Sequence, residues 1–223
     1  MALLKHSIIA SAVTVFLIIG CSTTQRRVLK RWDASVKDYL YFPSRQIKCG
    51  GSPKAFIRKP DIKYEELLKN EFESDDLSKF IKKTKTQALL IIKDDSLVLE
   101  KYGMGYDSSS TVTSFSVAKS FDSAIIGTLI DSGKITSVDE PITSFIPELL
   151  ERDSRFAKIT VRHLMMMSSG ILYEEKLPRK DDTQTYFNPD LRSLAINKTL
   201  IKEDPGLHFL YNNYNPLFLN EIY

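Results

Sequence analysis

The sequence predicts an α+β fold, and three observations carry that reading. Two short apolar runs, Ala88 to Ile92 and Leu97 to Tyr102, flank the polar turn Lys93-Asp94-Asp95-Ser96, the pattern of a β-hairpin. A longer apolar segment follows from Phe121 to Ile130 and stops at Gly133, which suits a helix with glycine just past its end. The periodic segments beyond it read as helices. Strands therefore come first and helices after, an order typical of α+β architectures.

Taken from its start, the chain opens on an address. Lys5 supplies a short positive region, and Ser7 to Gly20 is apolar but short for ~30 Å of hydrocarbon. Gly20-Cys21 closes it and resembles the lipobox of bacterial lipoproteins, in which the cysteine is acylated and becomes the new N-terminus. An ordinary signal peptide or an uncleaved anchor is the competing reading. Ser22 to Arg27 holds no aspartate, which in a Gram-negative source would direct the protein to the outer membrane. If Cys21 carries lipid, Cys49 is the other of only two cysteines and no disulfide framework is possible. The formal charge of +3 is spread along 223 residues without a basic block, so nucleic acid is not implied as a partner.

Residues 22–75 read as a tether and an irregular N-terminal segment, with 76–223 as the folded domain. Tyr64 to Asp76 and Leu77 to Lys83 read as polar helices, and Cys49 to Pro53 as a loop. Ile142 to Leu150 is short and bounded by proline, and Thr160 to Met167 reads as a helix ended by Ser168-Ser169-Gly170. Residues 174–190 are polar and read as a loop, and Leu191 to Leu200 is amphipathic.

The chemistry is concentrated in Ser116-Val117-Ala118-Lys119, at the start of the long helix. Positions i and i+3 share a helix face, about 5–6 Å apart at the Cβ atoms. A serine hydroxyl is a weak nucleophile until a base stands within hydrogen-bond reach. A helix N-terminus and a cleft both disfavour an ammonium, so Ser-x-x-Lys is a compact way to activate serine. The plain alternative is an N-cap serine followed by a solvent-facing lysine.

Five ordered blocks resemble the β-lactamase-related serine hydrolases: class C β-lactamases, penicillin-binding-protein-like enzymes, and the esterase and 6-aminohexanoate-dimer hydrolase branch. They are the hairpin Ala88 to Tyr102, the nucleophile block Thr113 to Phe121, and the stretch Asp131 to Leu149 with Val138-Asp139-Glu140-Pro141. The fourth is Ile159 to Leu164 with Ser168-Ser169-Gly170, and the fifth is Pro205-Gly206 with Tyr211-Asn212-Asn213. The resemblance implies a β-lactamase/transpeptidase-like fold and hydrolysis of a small amide or ester through an acyl-enzyme on Ser116. The lean is towards the esterase and aminohexanoate-dimer branch. It further implies that Lys119 and Tyr211 share the work of general base, that Asn213 bonds Lys119 or the substrate amide, and that the Ser116 N–H is one oxyanion donor. No metal or other cofactor is implied. A non-catalytic envelope lipoprotein that binds peptide or peptidoglycan-like ligands is the alternative.

Tyr186-Phe187-Asn188 is a second Tyr-x-Asn but lacks a preceding Pro-Gly, so Tyr211 is preferred. His163, beside Leu164 to Met167, reads as a packing residue, and His208 has no motif around it. The family's third motif, a Lys-Thr-Gly or His-x-Gly triplet, is not found after Tyr211, where the last glycine is already Gly206 and Lys198-Thr199 lies upstream. Tyr223 falls where the middle of the helix after Tyr-x-Asn is expected. The C-terminal strands and closing helix are then missing, leaving two strands of the sheet with an exposed edge. The expectation is an incomplete fold, weakly stable and with little or no activity alone.

Overall fold

The computed structural model describes residues 22–31, 34–48, 50–51, 55–72, 76–176 and 180–223. The signal segment and the lipidation assigned to Cys21 lie outside the described residues, as does Cys49. In chain order the helices are α1 (Thr23–Arg31), α2 (Ile62–Glu71), α3 (Leu77–Lys83), α4 (Ala118–Asp131), α5 (Glu148–Arg152), α6 (Val161–Met165), α7 (Asp181–Phe187), α8 (Leu191–Lys198) and α9 (Tyr214–Asn220). The strands are β1 (Ile57–Arg58), β2 (Ala88–Lys93) and β3 (Ser96–Tyr102). The described residues form two compact units, one within residues 35–113 and one of residues 22–34 with 114–223. The boundary read at 75/76 falls inside the first of these.

In the unit of residues 35–113 the hairpin forms as the two apolar runs predict, with Ala88 opposite Tyr102 and Lys93 opposite Ser96. Asp94 and Asp95 take positive φ of 48° and 54°, the left-handed turn that aspartate tolerates better than most residues. A strand not legible beforehand, β1, pairs parallel with β3, so the order is β1-β3-β2. Two residues are too few to show a period. Helices α2 and α3 are capped by Asp61 and Asp76, whose carboxylates accept from Lys63 N and Ser78 N, the usual satisfaction of orphan N–H groups. Leu77, Ile81 and Leu99 bury a small core beneath stacked Phe72 and Phe80.

The larger unit holds the main core, built from Ile126 of α4, Ile142, Ile146, Leu149, Phe156, Ile159, Leu164, Leu194, Tyr214 and Phe218. Helix α4 ends at Asp131. Gly133, at φ +71°, donates to Ile130 O, and Lys134 N to Leu129 O, the paired bonds of a Schellman close. Arg152 reaches the carbonyls of Ile196 and, at 2.7 Å, Thr199, satisfying the carbonyl end of α8. Helix α9 packs on α6, α8 and α4.

Two readings need correction. Residues 174–190 are not all loop, because Asp181–Phe187 is helical. Its threonines and aspartates are indifferent helix formers, and tertiary bonds decide the matter: buried Asp181 accepts from Tyr214 Oη (2.8 Å) and Glu174 N (2.7 Å). His163 is a reciprocal cap rather than a packing residue, its Nδ1 accepting from Thr160 N (3.1 Å) while Thr160 Oγ1 accepts from His163 N. Helix α9 spans Tyr214–Asn220, and Glu221 N bonds Phe218 O and Leu219 O. Among the described residues no helix is long and apolar enough to cross a membrane.

Residues 167–172 and 200–210 run side by side. Ile171 and Ile201 form an antiparallel bridge, and Leu172 N donates to Leu200 O (2.8 Å). Lys202 N donates to Gly170 O (2.9 Å), Gly206 N to Ser168 O (2.7 Å) and Leu210 N to Met167 O (2.8 Å). Gly170 is the close point. At φ +74°, a Cβ there would lie 2.2 Å from Glu203 O, whereas a Cβ on Gly133 meets nothing within 4 Å. Gly133→Ala is therefore expected to cost about 1–2 kcal/mol for its left-handed backbone. Gly170→Ala adds a collision with main chain and should cost about 2–5 kcal/mol in total. Denaturant unfolding of both variants checks this, and equal losses would contradict the close approach.

Candidate active site

Ser116 does not sit in the α-helix itself. It lies in the 3-10 turn Phe115–Val117 that leads directly into α4. Phe115 holds φ 48°, a conformation costly for a bulky residue, so a regular helix cannot extend further back. The i,i+3 spacing is kept across the junction, and Lys119 Nζ donates to Ser116 Oγ at 3.0 Å.

Tyr211 arrives from the far end of the chain. Gly206, at φ +86°, turns the backbone after Pro205, and the pairing with residues 167–172 carries the strand-like segment onward. Tyr211 Oη then stands 2.7 Å from Ser116 Oγ, and Lys119 Nζ lies 4.9 Å from the Tyr211 ring centroid. Desolvation works to raise the Tyr211 phenol. Hydrogen bonding with Lys119 and Ser116 and the charge of Lys119 outweigh it, and the phenol lies below its ordinary value.

Asn213 closes the cluster. Its Oδ1 accepts from Lys119 Nζ at 2.9 Å, while its Nδ2 donates to Tyr173 Oη and to Asp182 Oδ1, both at 2.9 Å. Tyr173 Oη in turn donates to Asp182 Oδ1. Burial first, then Asp182, pushes the Tyr173 phenol well up. Burial against the start of α7, with Asp182 beside it, pushes the Glu175 carboxyl up to about 7. The turn around Asn213 is fixed by its neighbours. Asn212 Nδ2 donates to Ile171 O (3.0 Å), Asn212 Oδ1 accepts from Tyr214 N (2.8 Å), and Asn215 Oδ1 accepts from Ser169 Oγ (2.6 Å).

The structure thus brings together all four residues singled out from the sequence, Ser116, Lys119, Tyr211 and Asn213, and adds two that sequence reasoning missed. Tyr173 and Asp182 lie in or beside the stretch read as loop. The available signal was Asp181-Asp182 opening a short segment, since acidic residues favour a first helical turn. The second Tyr-x-Asn stands elsewhere: Tyr186 packs against Phe115 (6.5 Å between centroids) and Phe187 (4.9 Å). His208 pairs with Glu203 at 3.0 Å. Among the described residues no group of three or more His, Cys, Asp or Glu could hold a metal ion. The arrangement is a hydroxyl flanked by one phenol and one ammonium, open to solvent on the Tyr211 side, where the residue is 47% exposed.

Several known proteins are similar to this chain. The family model described as Beta-lactamase matches residues 77–222. A 6-aminohexanoate-dimer hydrolase of Paenarthrobacter ureafaciens is 32% identical over 100 residues, 45% of this chain and 25% of that protein. A solved structure from Bacillus anthracis, described as a candidate 6-aminohexanoate-dimer hydrolase, superposes with a TM-score of 0.56 at 27% identity. The match covers 66% of this chain and 41% of that one. A candidate beta-lactamase from Bacteroides dorei shares the fold, with a TM-score of 0.55 at 23% identity over 74% of this chain and 46% of its own. The chain spans a quarter of the curated relative's length and less than half of either solved structure. With the family match spanning most of the chain and the fold agreeing, this protein belongs to the beta-lactamase family.

Proposed function

We propose that the chain carries the acylation centre of a serine hydrolase that cleaves a small amide or ester, with Ser116 as nucleophile. The observation that supports this best is the convergence of Lys119 Nζ and Tyr211 Oη on one oxygen, Ser116 Oγ, at 3.0 and 2.7 Å. A phenol shifted downward next to a retained ammonium is suited to hold the proton of a serine hydroxyl.

In the proposed cycle Tyr211, as phenolate, takes the proton of Ser116 as Oγ bonds the substrate carbonyl carbon. The tetrahedral oxyanion is met by the Ser116 N–H, a donor of the kind whose loss costs about 10²–10³ in rate. Tyr211 Oη–H then protonates the leaving nitrogen or oxygen as its bond to carbon breaks, giving acyl-Ser116. Water reverses the sequence: Tyr211 takes a water proton as the water oxygen bonds the acyl carbon, the acyl–Oγ bond breaks to release the acid, and Ser116 recovers the proton from Tyr211. Lys119 stabilises the phenolate, and Asn213 Oδ1 holds Lys119. The likeness to 6-aminohexanoate-dimer hydrolases favours linear amides or esters as substrates.

We read Cys21 as a lipid-bearing N-terminus that holds the protein on the bacterial cell envelope, on the strength of Lys5, the apolar stretch and Gly20-Cys21. Incorporation of radiolabelled palmitate in cells should vanish in Cys21→Ala. Incorporation that persists would contradict the anchor.

Incubation with a fluorophosphonate followed by peptide mass mapping should place the adduct on Ser116. Ser116→Ala should lose it, and Lys119→Ala and Tyr211→Phe should slow it by about 10²–10⁴-fold. A folded wild-type chain that never labels would refute the nucleophile. The phenol of Tyr211, followed by ultraviolet difference against Tyr211→Phe, should titrate at higher pH in Lys119→Ala, because the group that lowers it is gone. An unmoved midpoint would contradict the role given to Lys119.

A further inference from the structure

Beyond the four residues of the cluster, we infer that Tyr173 and Asp182 are positioning residues: together they fix which end of the Asn213 amide faces Lys119. The inference rests on the reading of Ser116 as an acylated nucleophile, and it assigns to two further side chains a part in that chemistry.

An asparagine amide has an acceptor end and a donor end of nearly the same shape. Either could face Lys119, with opposite consequences. Oδ1 accepts from the ammonium and holds it, while Nδ2 would set an N–H dipole against a cation. The surroundings leave one choice. Both Nδ2 protons have acceptors, Tyr173 Oη and Asp182 Oδ1, each at 2.9 Å. Tyr173 gives its own proton to Asp182 Oδ1, so its oxygen is left to accept from Asn213. Asp182 as a carboxylate has nothing to donate. A flipped amide would put Oδ1 against a carboxylate and a committed phenol oxygen. The half-buried ring of Tyr173 is held by an edge contact with buried Tyr214 (5.6 Å, 81°). Asp182 is held through its backbone N–H by Glu175 Oε1 (3.2 Å).

Two acceptors for one amide make a redundant lock, which yields a distinctive mutational pattern. Tyr173→Phe or Asp182→Ala leaves one acceptor and should slow maximal Ser116 labelling by less than about 3-fold. The double variant leaves none, and the loss of one charge-assisted bond to Lys119 corresponds to about 10–150-fold, well beyond the product of the singles. The loss should fall on the maximal rate, with half-saturation by the fluorophosphonate unchanged. Adding Asn213→Asp to the double variant should restore most of the rate, because a carboxylate presents an acceptor to Lys119 whichever way it turns. A merely structural role for Tyr173 and Asp182 would not be repaired by that change.

The test uses the full chain, with folding followed by circular dichroism. Synergy and rescue support the proposal. A double variant no worse than the product of its singles, a change confined to half-saturation, or failure of Asn213→Asp to restore the rate overturns it. Nuclear magnetic resonance of the Asn213 side-chain amide, identified by its loss in Asn213→Asp, gives a reading independent of labelling. In wild type its two protons should exchange slowly, and faster in Tyr173→Phe and in the double variant. If wild type fails to label, the functional reading falls and this signal alone decides: unchanged exchange overturns the lock, and faster exchange sustains it. Tyr173→Phe supplies the same reading should Asp182→Ala disturb α7.

Discussion

The site depends on a backbone constraint some distance from it, the pairing of residues 200–210 with residues 167–172. Tyr211 and Ser116 are 95 residues apart in sequence, so no local preference can set 2.7 Å between their oxygens. The pairing does so by laying the chain before Tyr211 along a segment that follows the capped helix α6. Gly170 is the residue without which the two backbones could not approach, since a single added carbon would collide with Glu203 O. From there Asn212 and Asn215 tie the turn to Ile171 O and Ser169, and α9 docks beneath α4. Serine and lysine come from the start of α4, tyrosine and asparagine from the approach to α9, and the contact between these helices is what makes the four residues one cluster.

Within the cluster the balance of charge decides what chemistry is open. A phenol beside an ammonium is pulled toward ionisation. A phenol beside a carboxylate is pulled the other way, and both cases occur within one network. Tyr211 faces Lys119 and is lowered, while Tyr173 is raised by burial first and then by Asp182. Only the first is suited to take a proton from Ser116. Asn213 stands between the two, bonding Lys119 through Oδ1 and Tyr173 and Asp182 through Nδ2.

Much of this was legible in the sequence because it is local or periodic. The hairpin followed from two apolar runs around Asp94-Asp95, the close of α4 from Gly133, and the nucleophile pair from the spacing of Ser116 and Lys119. Tyr211 was separable from Tyr186 because Pro205-Gly206 announces a turn ahead of one and not of the other. What escaped was set by tertiary bonds. Helix α7 has an undistinguished composition and exists because Asp181 is held by Tyr214 and Glu174. Asp182 therefore gave no sign of its place beside Asn213. Strand β1 is too short to carry a pattern, and His163 looked apolar by its neighbours when its ring nitrogen was serving Thr160.

The central claim is that the Tyr211 phenolate, favoured by Lys119, takes the proton from Ser116. The most direct test is the pH dependence of the Ser116 acylation rate in wild type and in Tyr211→Phe. The account predicts a wild-type rate that rises with a midpoint below the ordinary tyrosine value of about 10, and a variant in which that rise is gone. The same rising limb in Tyr211→Phe would contradict it, and would assign the proton to another group.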